Sequence, residues 1–359
     1  MYATNPIVRR VRAGVAACAA GAALAACGMG PSVETVALEG TVLTDSVSLA
    51  LPTGLVVWQN SLVVQDPRAA SAVRIFDTAG RLRGSTGRKG FGPGEFASPS
   101  AVLSRPGHPG EFWVFDARLS RLTPFRVPDL LAGGTRHAGE RVQLASQLVV
   151  EAPLWLDDST LVAQNAMLRA GEKRFSFLRP DGAVRASAGE EPASEEKLTR
   201  FLKQQVYGGP MAARPGHAQF LVASRYAGRL ELYGTDGALV RRFAVPQAFE
   251  PDVEPSPDGV NFFSNEGQRV GYPDLAVTDR LVFALFSGQK DKDNPESMFA
   301  REVHVFDWDG RLRHVLTLDN AVLQIALSDD GRTLYAVRHD PYPQVLAYPL
   351  PAFALSAET

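Results

Sequence analysis

The sequence predicts an all-β fold, and more specifically a six-bladed β-propeller of four-stranded antiparallel blades. Three observations predict it: short apolar strands separated by Gly, Pro, Asp and Asn, tight turns that end in Gly, and a repeat of about 50 to 55 residues. Of the 359 residues, 45% are hydrophobic, which is enough for a large core. The formal charge of −2 gives no general attraction to nucleic acid, and no nucleic-acid partner is expected.

The N-terminus has the features of a bacterial export signal. Arginines near the start are followed by an apolar run, Gly14–Ala26, which is too short to span a bilayer with these flanks. Leu24-Ala25-Ala26-Cys27 resembles a lipobox, in which the thiol of Cys27 is acylated and becomes the new N-terminus. We therefore expect a signal peptide over residues 1–26. The alternative is an ordinary secretory signal or membrane anchor with a cysteine there by chance.

Lipidation has consequences for the mature chain. Residues 27–33 form a lipidated tether with a reach of roughly 25 Å, and the propeller occupies residues 34–355. Cys18 is removed with the signal, so no disulfide is expected. Gly28 follows the lipidated cysteine, which in similar lipoproteins implies the outer membrane facing the periplasm. We expect a monomer without a cofactor.

Four tight turns set the period of the repeat. Each follows an apolar strand and ends in a glycine, which supplies the positive φ that such turns require. They are Asp77–Gly80, Arg179–Gly182, Gly234–Gly237 and Asp307–Gly310. An Arg-Pro-Gly-His block also recurs at 105–108 and 214–217, two periods apart. Six blades of this period account for the chain after the tether.

Two segments need a separate interpretation. Glu34–Leu43 is an orphan strand, and the last repeat lacks one strand, so we expect this segment to complete the sixth blade and close the ring. Ser194 followed by Glu195, Glu196 and an apolar periodicity predicts a short helix between blades three and four, with Ser194 as its N-cap. A surface decoration is favoured over a lid for this helix.

Several stretches resemble the TolB-like six-bladed propeller lipoproteins over roughly residues 34 to 350. They are Tyr207-Gly208-Gly209, Gly271-Tyr272-Pro273-Asp274, Leu281–Gly288, Val303–Gly310 and Thr333–Ala336. Gly87–Phe96 with Pro99 also resembles the loop that opens a blade in NHL-type propellers. The resemblance implies the fold and the lipid anchor, and it implies no catalytic residue.

The sequence contains no recognisable catalytic or metal motif. Its six histidines are scattered without an HExxH pattern, and no Gly-x-Ser-x-Gly is present. His108 and His217 occupy matching turns, which is typical of polar turn residues. Asp291–Glu296 has oxygen ligands but lacks the spacing of a calcium loop. We predict no catalytic residue and no metal site.

Cations are predicted to gather at one mouth of the channel. Loops between the second and third strands of each blade, together with the connections between blades, should share one face of the propeller. The candidate ligand-binding residues there are Arg68, Arg88, Lys89, Arg118, Arg169, Arg225, Arg338 and His339, with Lys290 nearby. A cationic concave site attracts anions. The alternative is a set of locally paired, solvated charges.

Two classes of function remain open from the sequence. The first is a membrane-anchored binding or scaffold module for a protein or an anionic envelope ligand. The second is a propeller hydrolase or lyase whose acids and histidines converge on the channel mouth from distant blades. The absence of a catalytic motif favours the binding module.

Overall fold

The described part of the chain folds mainly into β-sheets. The computed structural model describes residues 33–354 apart from 45–47, 109, 135–136, 138, 146–149, 152, 167–171, 195–197, 255–261, 265 and 292–295. Within these residues, six sheets of four or five mainly antiparallel strands follow one another along the chain. They are the six blades of a β-propeller, which confirms the predicted architecture.

The first half of the chain forms blades one to three. Two strands precede them, β1 (Glu34–Leu38) and β2 (Thr41–Val42). Blade one comprises β3 (Gly54–Trp58), β4 (Ser61–Gln65), β5 (Val73–Asp77) and β6 (Leu82–Thr86). A parallel pair follows, β7 (Arg88–Lys89) and β8 (Glu95–Phe96). Blade two comprises β9 (Pro99–Ser104), β10 (Glu111–Asp116), β11 (Arg121–Arg126), helix α1 (Val127–Leu131) and β12 (Val142–Gln143). Blade three comprises β13 (Leu154–Trp155), β14 (Leu161–Gln164), β15 (Phe175–Leu178) and β16 (Val184–Ala188).

The second half begins with helix α2 (Arg200–Tyr207). Blade four comprises β17 (Met211–Ala213), β18 (Gln219–Ala223), β19 (Leu230–Gly234) and β20 (Leu239–Arg242), and a small hairpin follows, β21 (Val253–Glu254) and β22 (Phe262–Phe263). Blade five comprises β23 (Asp274–Val277), β24 (Leu281–Phe286), β25 (Ala300–Asp307) and β26 (Leu312–Val322). Blade six comprises β27 (Gln324–Leu327), β28 (Thr333–Arg338) and β29 (Gln344–Pro349), before a 3-10 turn at Ala352–Ala354. Among the described residues, no helix has the length and apolar character needed to cross a bilayer.

The alternating strand directions sort the loops onto two faces. We call the face with the loops between second and third strands, and with the connections between blades, the upper face. The lower face carries the remaining hairpins, including the turn Asp77–Gly80. In that turn Gly80 has a φ of +78°, and its N–H donates to the Asp77 carbonyl at 2.9 Å. The glycine therefore supplies the left-handed backbone that the sequence predicted.

The core lies between neighbouring blades. Strand β4 is buried along its whole length, and its side chains alternate between the two sides of the blade. Val63 packs in a cluster with Phe112 of blade two, whereas Leu62 packs in a cluster with Val337 of blade six. Each blade therefore buries both faces on its neighbours, which explains why a single repeat is not stable by itself.

Closure of the ring differs in part from the prediction. Thr41–Val42 pairs antiparallel with β29 and completes blade six, as expected for that part of the segment. Glu34–Leu38 instead pairs in parallel with β26 as a fifth strand of blade five, so treating 34–43 as one closing strand was wrong. The chain crosses between the blades at Gly40, where a Cβ would lie 2.6 Å from the Tyr348 ring. Only glycine permits this close approach.

The helix between blades three and four also begins later than predicted. Its N-cap is Thr199, whose hydroxyl accepts from the Leu202 N–H at 3.2 Å. Ser194, the predicted cap, instead contacts the Tyr207 hydroxyl at 3.0 Å. A serine cap was therefore the wrong choice, because this side chain is used by a residue at the other end of the helix.

Candidate functional site: the central channel and the upper face

A channel of about 1230 Å³ passes through the centre of the propeller. Its wall is formed mainly by the first strand of each blade, namely β3, β9, β13, β17, β23 and β27. Small-molecule sites in proteins usually have volumes of roughly 300 to 1,000 Å³. The channel therefore has room for an organic ligand of ordinary size.

An ion pair lies at the upper end of the channel. Arg225, in the loop between the second and third strands of blade four, points its Nη2 at Glu151 Oε2 at 3.3 Å. Both side chains are half-buried and line the channel. Because the two charges neutralise each other, this predicted cation does not make the mouth electropositive.

Asp274 is a second carboxylate at the upper end. It is the first residue of β23, and its Oδ2 accepts from the Ile325 N–H of blade six at 2.8 Å. It lines the channel, and burial raises the pKa of this carboxyl to about 7, against the lowering effect of the Ile325 and Leu275 N–H groups. Among the described residues, no cation forms an ion pair with Asp274.

The two Arg-Pro-Gly-His turns lie on the lower face. Arg105 places its guanidinium 4.4 Å from the Trp155 ring, and Arg214 lies 5.2 Å from the Trp308 ring of blade five. These cation–π contacts attach each turn to a different blade. His217 lines the lower end of the channel, and its N–H closes its turn on the Arg214 carbonyl at 3.1 Å.

Most predicted cations on blades four to six are engaged locally. Lys290 lies 3.0 Å from Asp252. Arg338 donates to Asn320 Oδ1 at 2.6 Å, and the His339 ring contacts the Pro52 carbonyl at 2.7 Å. Arg169 lies outside the described residues. For this half of the mouth, the arrangement matches the alternative of locally engaged charges.

The remaining candidates come together on the upper face of blades one and two. Three loops meet there: the Ala72 N–H donates to the Gly87 carbonyl at 2.7 Å, and Arg121 Nη2 donates to the Glu95 carbonyl at 2.7 Å. These loops carry four of the predicted cations and one exposed ring. We call this group the blade 1–2 surface; it consists of Arg68, Arg88, Lys89, Phe91 and Arg118.

The two aspartates of these loops point inward. Asp66 is fully buried and accepts from the N–H groups of Ala50 and Leu51, each at 2.8 Å. Asp116, equally buried in blade two, accepts from the Ala97 N–H at 2.6 Å. Both carboxylates therefore fix the connections between blades, and they form no ion pair with the neighbouring Arg68 and Arg118.

Phe91 is the exposed centre of the blade 1–2 surface. It is 63% exposed, and the Arg118 guanidinium lies 5.5 Å from its ring. The loop that presents it is fixed at its base by buried Phe96 and by Glu95, which accepts from the Gly92 N–H at 3.0 Å and lies 3.7 Å from Arg88. An ordered loop that exposes an aromatic ring loses little entropy on binding.

Comparison with known proteins identifies the family. The sequence profile of the family described as TolB-like 6-blade propeller-like matches residues 57–330, which is more than half of the chain. The chain belongs to the TolB-like propeller family. No curated protein sequence matches it.

Solved structures resemble the TolB-like propeller in fold. One is described as an exported protein of Bacteroides fragilis NCTC 9343; it shares 12% identity, with coverage of 88% of this chain and 98% of the other, at a TM-score of 0.52. The WD40 propeller domain of Doa1 shares 10% identity over 89% and 99% of the two chains, with a TM-score of 0.48. At 12% identity, the first likeness shows the fold alone.

Sequence reasoning missed three residues of this TolB-like propeller. Asp274 and Glu151 line the channel, and Phe91 is exposed on the upper face. A charged residue at the start of an otherwise apolar first strand could have indicated Asp274. Nothing in the sequence pairs Glu151 with Arg225, because the two residues are 74 positions apart. Among the described residues, no group of three His, Cys, Asp or Glu is placed to hold a metal ion.

Proposed function

We propose that this TolB-like propeller is a lipid-anchored protein of the bacterial cell envelope, in the outer membrane and facing the periplasm. There it acts as a binding or scaffold module for an anionic partner, either a protein or another envelope ligand. The blade 1–2 surface carries the proposal. Its Arg68, Lys89 and Arg118 are exposed and form no ion pair with any described residue.

The composition of the surface supports an anionic partner. Arginine and aromatic side chains are enriched in protein interfaces, and here Arg118 and Phe91 lie side by side. An excess of cations accelerates encounter with an acidic partner and disfavours a basic one. The surface therefore combines an anchor residue with charges that select the partner.

The lipid anchor rests on the first 27 residues, which lie outside the described part of the chain. The exported protein of Bacteroides fragilis, which shares the fold, is a compatible neighbour. We expect Cys27→Ser to abolish incorporation of labelled palmitate and to release the chain from the membrane fraction. Cys18→Ser, in the segment removed with the signal, should change neither. A Cys27→Ser chain that is still labelled would contradict the proposed anchor.

Strand β1 begins on the lower face of the propeller. Its first residue, Glu34, pairs with His314, near the start of β26 and the lower-face turn Asp307–Gly310. The blade 1–2 surface lies on the upper face, at the opposite end of the propeller from the start of this first described strand.

A charge reversal tests the binding role. A photoreactive phenylalanine analogue at position 91 should crosslink the partner in cells, and mass spectrometry would identify it. Replacing Arg68, Lys89 and Arg118 by Glu should reduce the yield of that crosslink at least about tenfold, because the surface would then repel an acidic partner.

The matched control reverses three exposed arginines elsewhere, at Arg179, Arg185 and Arg311. This control should leave the yield unchanged. An equal loss in both triple variants would show a general charge effect. An unchanged crosslink yield in the Arg68, Lys89 and Arg118 variant would contradict the proposed binding surface.

The alternative hydrolase or lyase needs acids and histidines at one point of the channel. Among the described lining residues, His217 and the exposed Asp157 lie at the lower end, whereas Asp274 and Glu151 lie at the upper end. Glu151 is also engaged by Arg225. General acid–base catalysis requires its groups within hydrogen-bond reach of one substrate. No hydrogen bond or ion pair joins His217 to a carboxylate among the described lining residues, which favours the binding module.

A further inference from the structure

The charged residues among the described lining residues differ in their surroundings. Glu151 and Arg225 neutralise each other at 3.3 Å. At the lower end, Arg214 donates to Gln219 at 2.8 Å and lies over the Trp308 ring, and Asp157 is exposed to solvent. Asp274 is therefore the one enclosed carboxylate among the described lining residues that faces no cation. A carboxylate can accept about four hydrogen bonds, so it can bind a donor in addition to the Ile325 N–H.

The wall beside Asp274 is largely apolar. The channel is lined along its length by aliphatic and aromatic residues from all six blades; they are Leu55, Leu103, Trp155, Met211, Leu275 and Ile325. A site of this kind combines a large apolar area with one polar group that sets the orientation of the ligand. The ligand should therefore be an apolar body with one charged end.

We propose that the channel is a second binding site, for an organic amine whose ammonium group pairs with Asp274 and whose apolar body lies along the first strands. An anion would be repelled by Asp274. A hard metal ion would need several oxygen ligands, and no group of three metal-ligating side chains occurs among the described residues. This site is separate from the blade 1–2 surface and does not depend on the function proposed for it.

Three indole compounds test the proposal on the full-length chain in detergent micelles, with micelles alone as the blank. Tryptamine, tryptophol and indole-3-propionate share one apolar body and end in a cation, a neutral hydroxyl and an anion. The dissociation constants are measured by titration followed by saturation-transfer NMR. The Kd of tryptamine should be at least about tenfold lower than that of tryptophol, because a charge-assisted hydrogen bond is stronger than a neutral one. Indole-3-propionate should bind weakest.

Three variants test the site: two assign the charge effect to Asp274, and one fills the channel. Asp274→Asn keeps an acceptor for the Ile325 N–H. This substitution should lower the affinity for tryptamine about tenfold and leave the affinity for tryptophol unchanged. Asp157→Asn, which removes the exposed lower-face carboxylate, should change neither. Ala213→Trp, on the channel wall, should weaken all three compounds by filling the space for the indole. Far-UV circular dichroism would confirm that each variant is folded.

A pH series adds a second readout. The Asp274 carboxyl has a pKa of about 7, whereas a primary ammonium group stays charged well above that, so tryptamine affinity should fall as the pH is lowered from 8 to 5. Tryptophol affinity should stay constant over this range.

Equal affinity for tryptamine and tryptophol, or no effect of Asp274→Asn, would overturn the proposal. Displacement of tryptamine by millimolar Ca²⁺ would indicate a metal site and would overturn it as well. The triple variant at Arg68, Lys89 and Arg118 should bind tryptamine normally, which separates failure of this site from failure of the blade 1–2 surface.

Discussion

Arg174 and Glu231 form a buried ion pair that joins blades three and four. Arg174 Nη1 lies 2.9 Å from Glu231 Oε2, and both side chains are almost completely shielded from solvent. Arg174 also donates to the Tyr207 carbonyl at the end of α2, at 2.8 Å. Glu231 receives a further hydrogen bond from the Tyr233 hydroxyl at 2.6 Å. Removing one member of such a group leaves a charge buried without its partner.

We expect Glu231→Gln to lower the free energy of unfolding by about 3 kcal/mol at pH 7, measured by urea denaturation. Burial by itself would raise the pKa of Glu231, but Arg174 and the Tyr233 hydroxyl outweigh burial, and the pKa lies below its ordinary value. The unfolded chain therefore binds the proton more tightly. The stabilisation is present above the ordinary pKa of a glutamate and is lost as the pH falls through the lower folded value.

The difference between wild type and Glu231→Gln should therefore shrink at acid pH. The control is Glu190→Gln, which breaks an exposed pair with Lys173 and should change stability little. A Glu231→Gln variant as stable as the control at pH 7 would show that the buried pair does not stabilise the junction.

At the scale of elements, β1 and β2 have different roles although they are adjacent in sequence. Strand β2 supplies the missing strand of blade six, and the Leu43 N–H beyond it donates to the Val345 carbonyl at 2.9 Å. Thr44 continues the contact, because its hydroxyl accepts from the Val345 N–H at 3.0 Å. Strand β1 is added to a blade that already has four strands. Closure should therefore depend mainly on β2 and the residues that follow it.

Proline substitutions distinguish the two strands. Leu43→Pro removes the N–H that bonds to Val345, and it should lower the free energy of unfolding by about 2 kcal/mol or more. Val36→Pro should lower the free energy of unfolding by a smaller amount, because blade five keeps its four strands without β1. Thermal denaturation of the two variants checks the order. A larger loss from Val36→Pro would mean that β1 is the closing strand.

At the scale of the whole molecule, the repeat explains how much could be predicted. Each blade has the same strand order, so periodic turns such as Asp77–Gly80 revealed the number of blades without any structure. The same regularity placed Arg68 and Arg118 on one face. It could not show that Asp66 and Asp116 point inward to backbone N–H groups, because that depends on the neighbouring connection.

The sequence by itself determined the strands, the six-fold repeat and the face on which each loop lies, because these follow from local periodicity and turn chemistry. Only the tertiary structure decided which charges meet. Glu151 and Arg225 neutralise each other across 74 residues of chain, and Asp274 lines the channel without an ion pair to any described cation. Electrostatic interactions depend on distance and on the surrounding solvent, and neither is encoded in the spacing of residues along the chain.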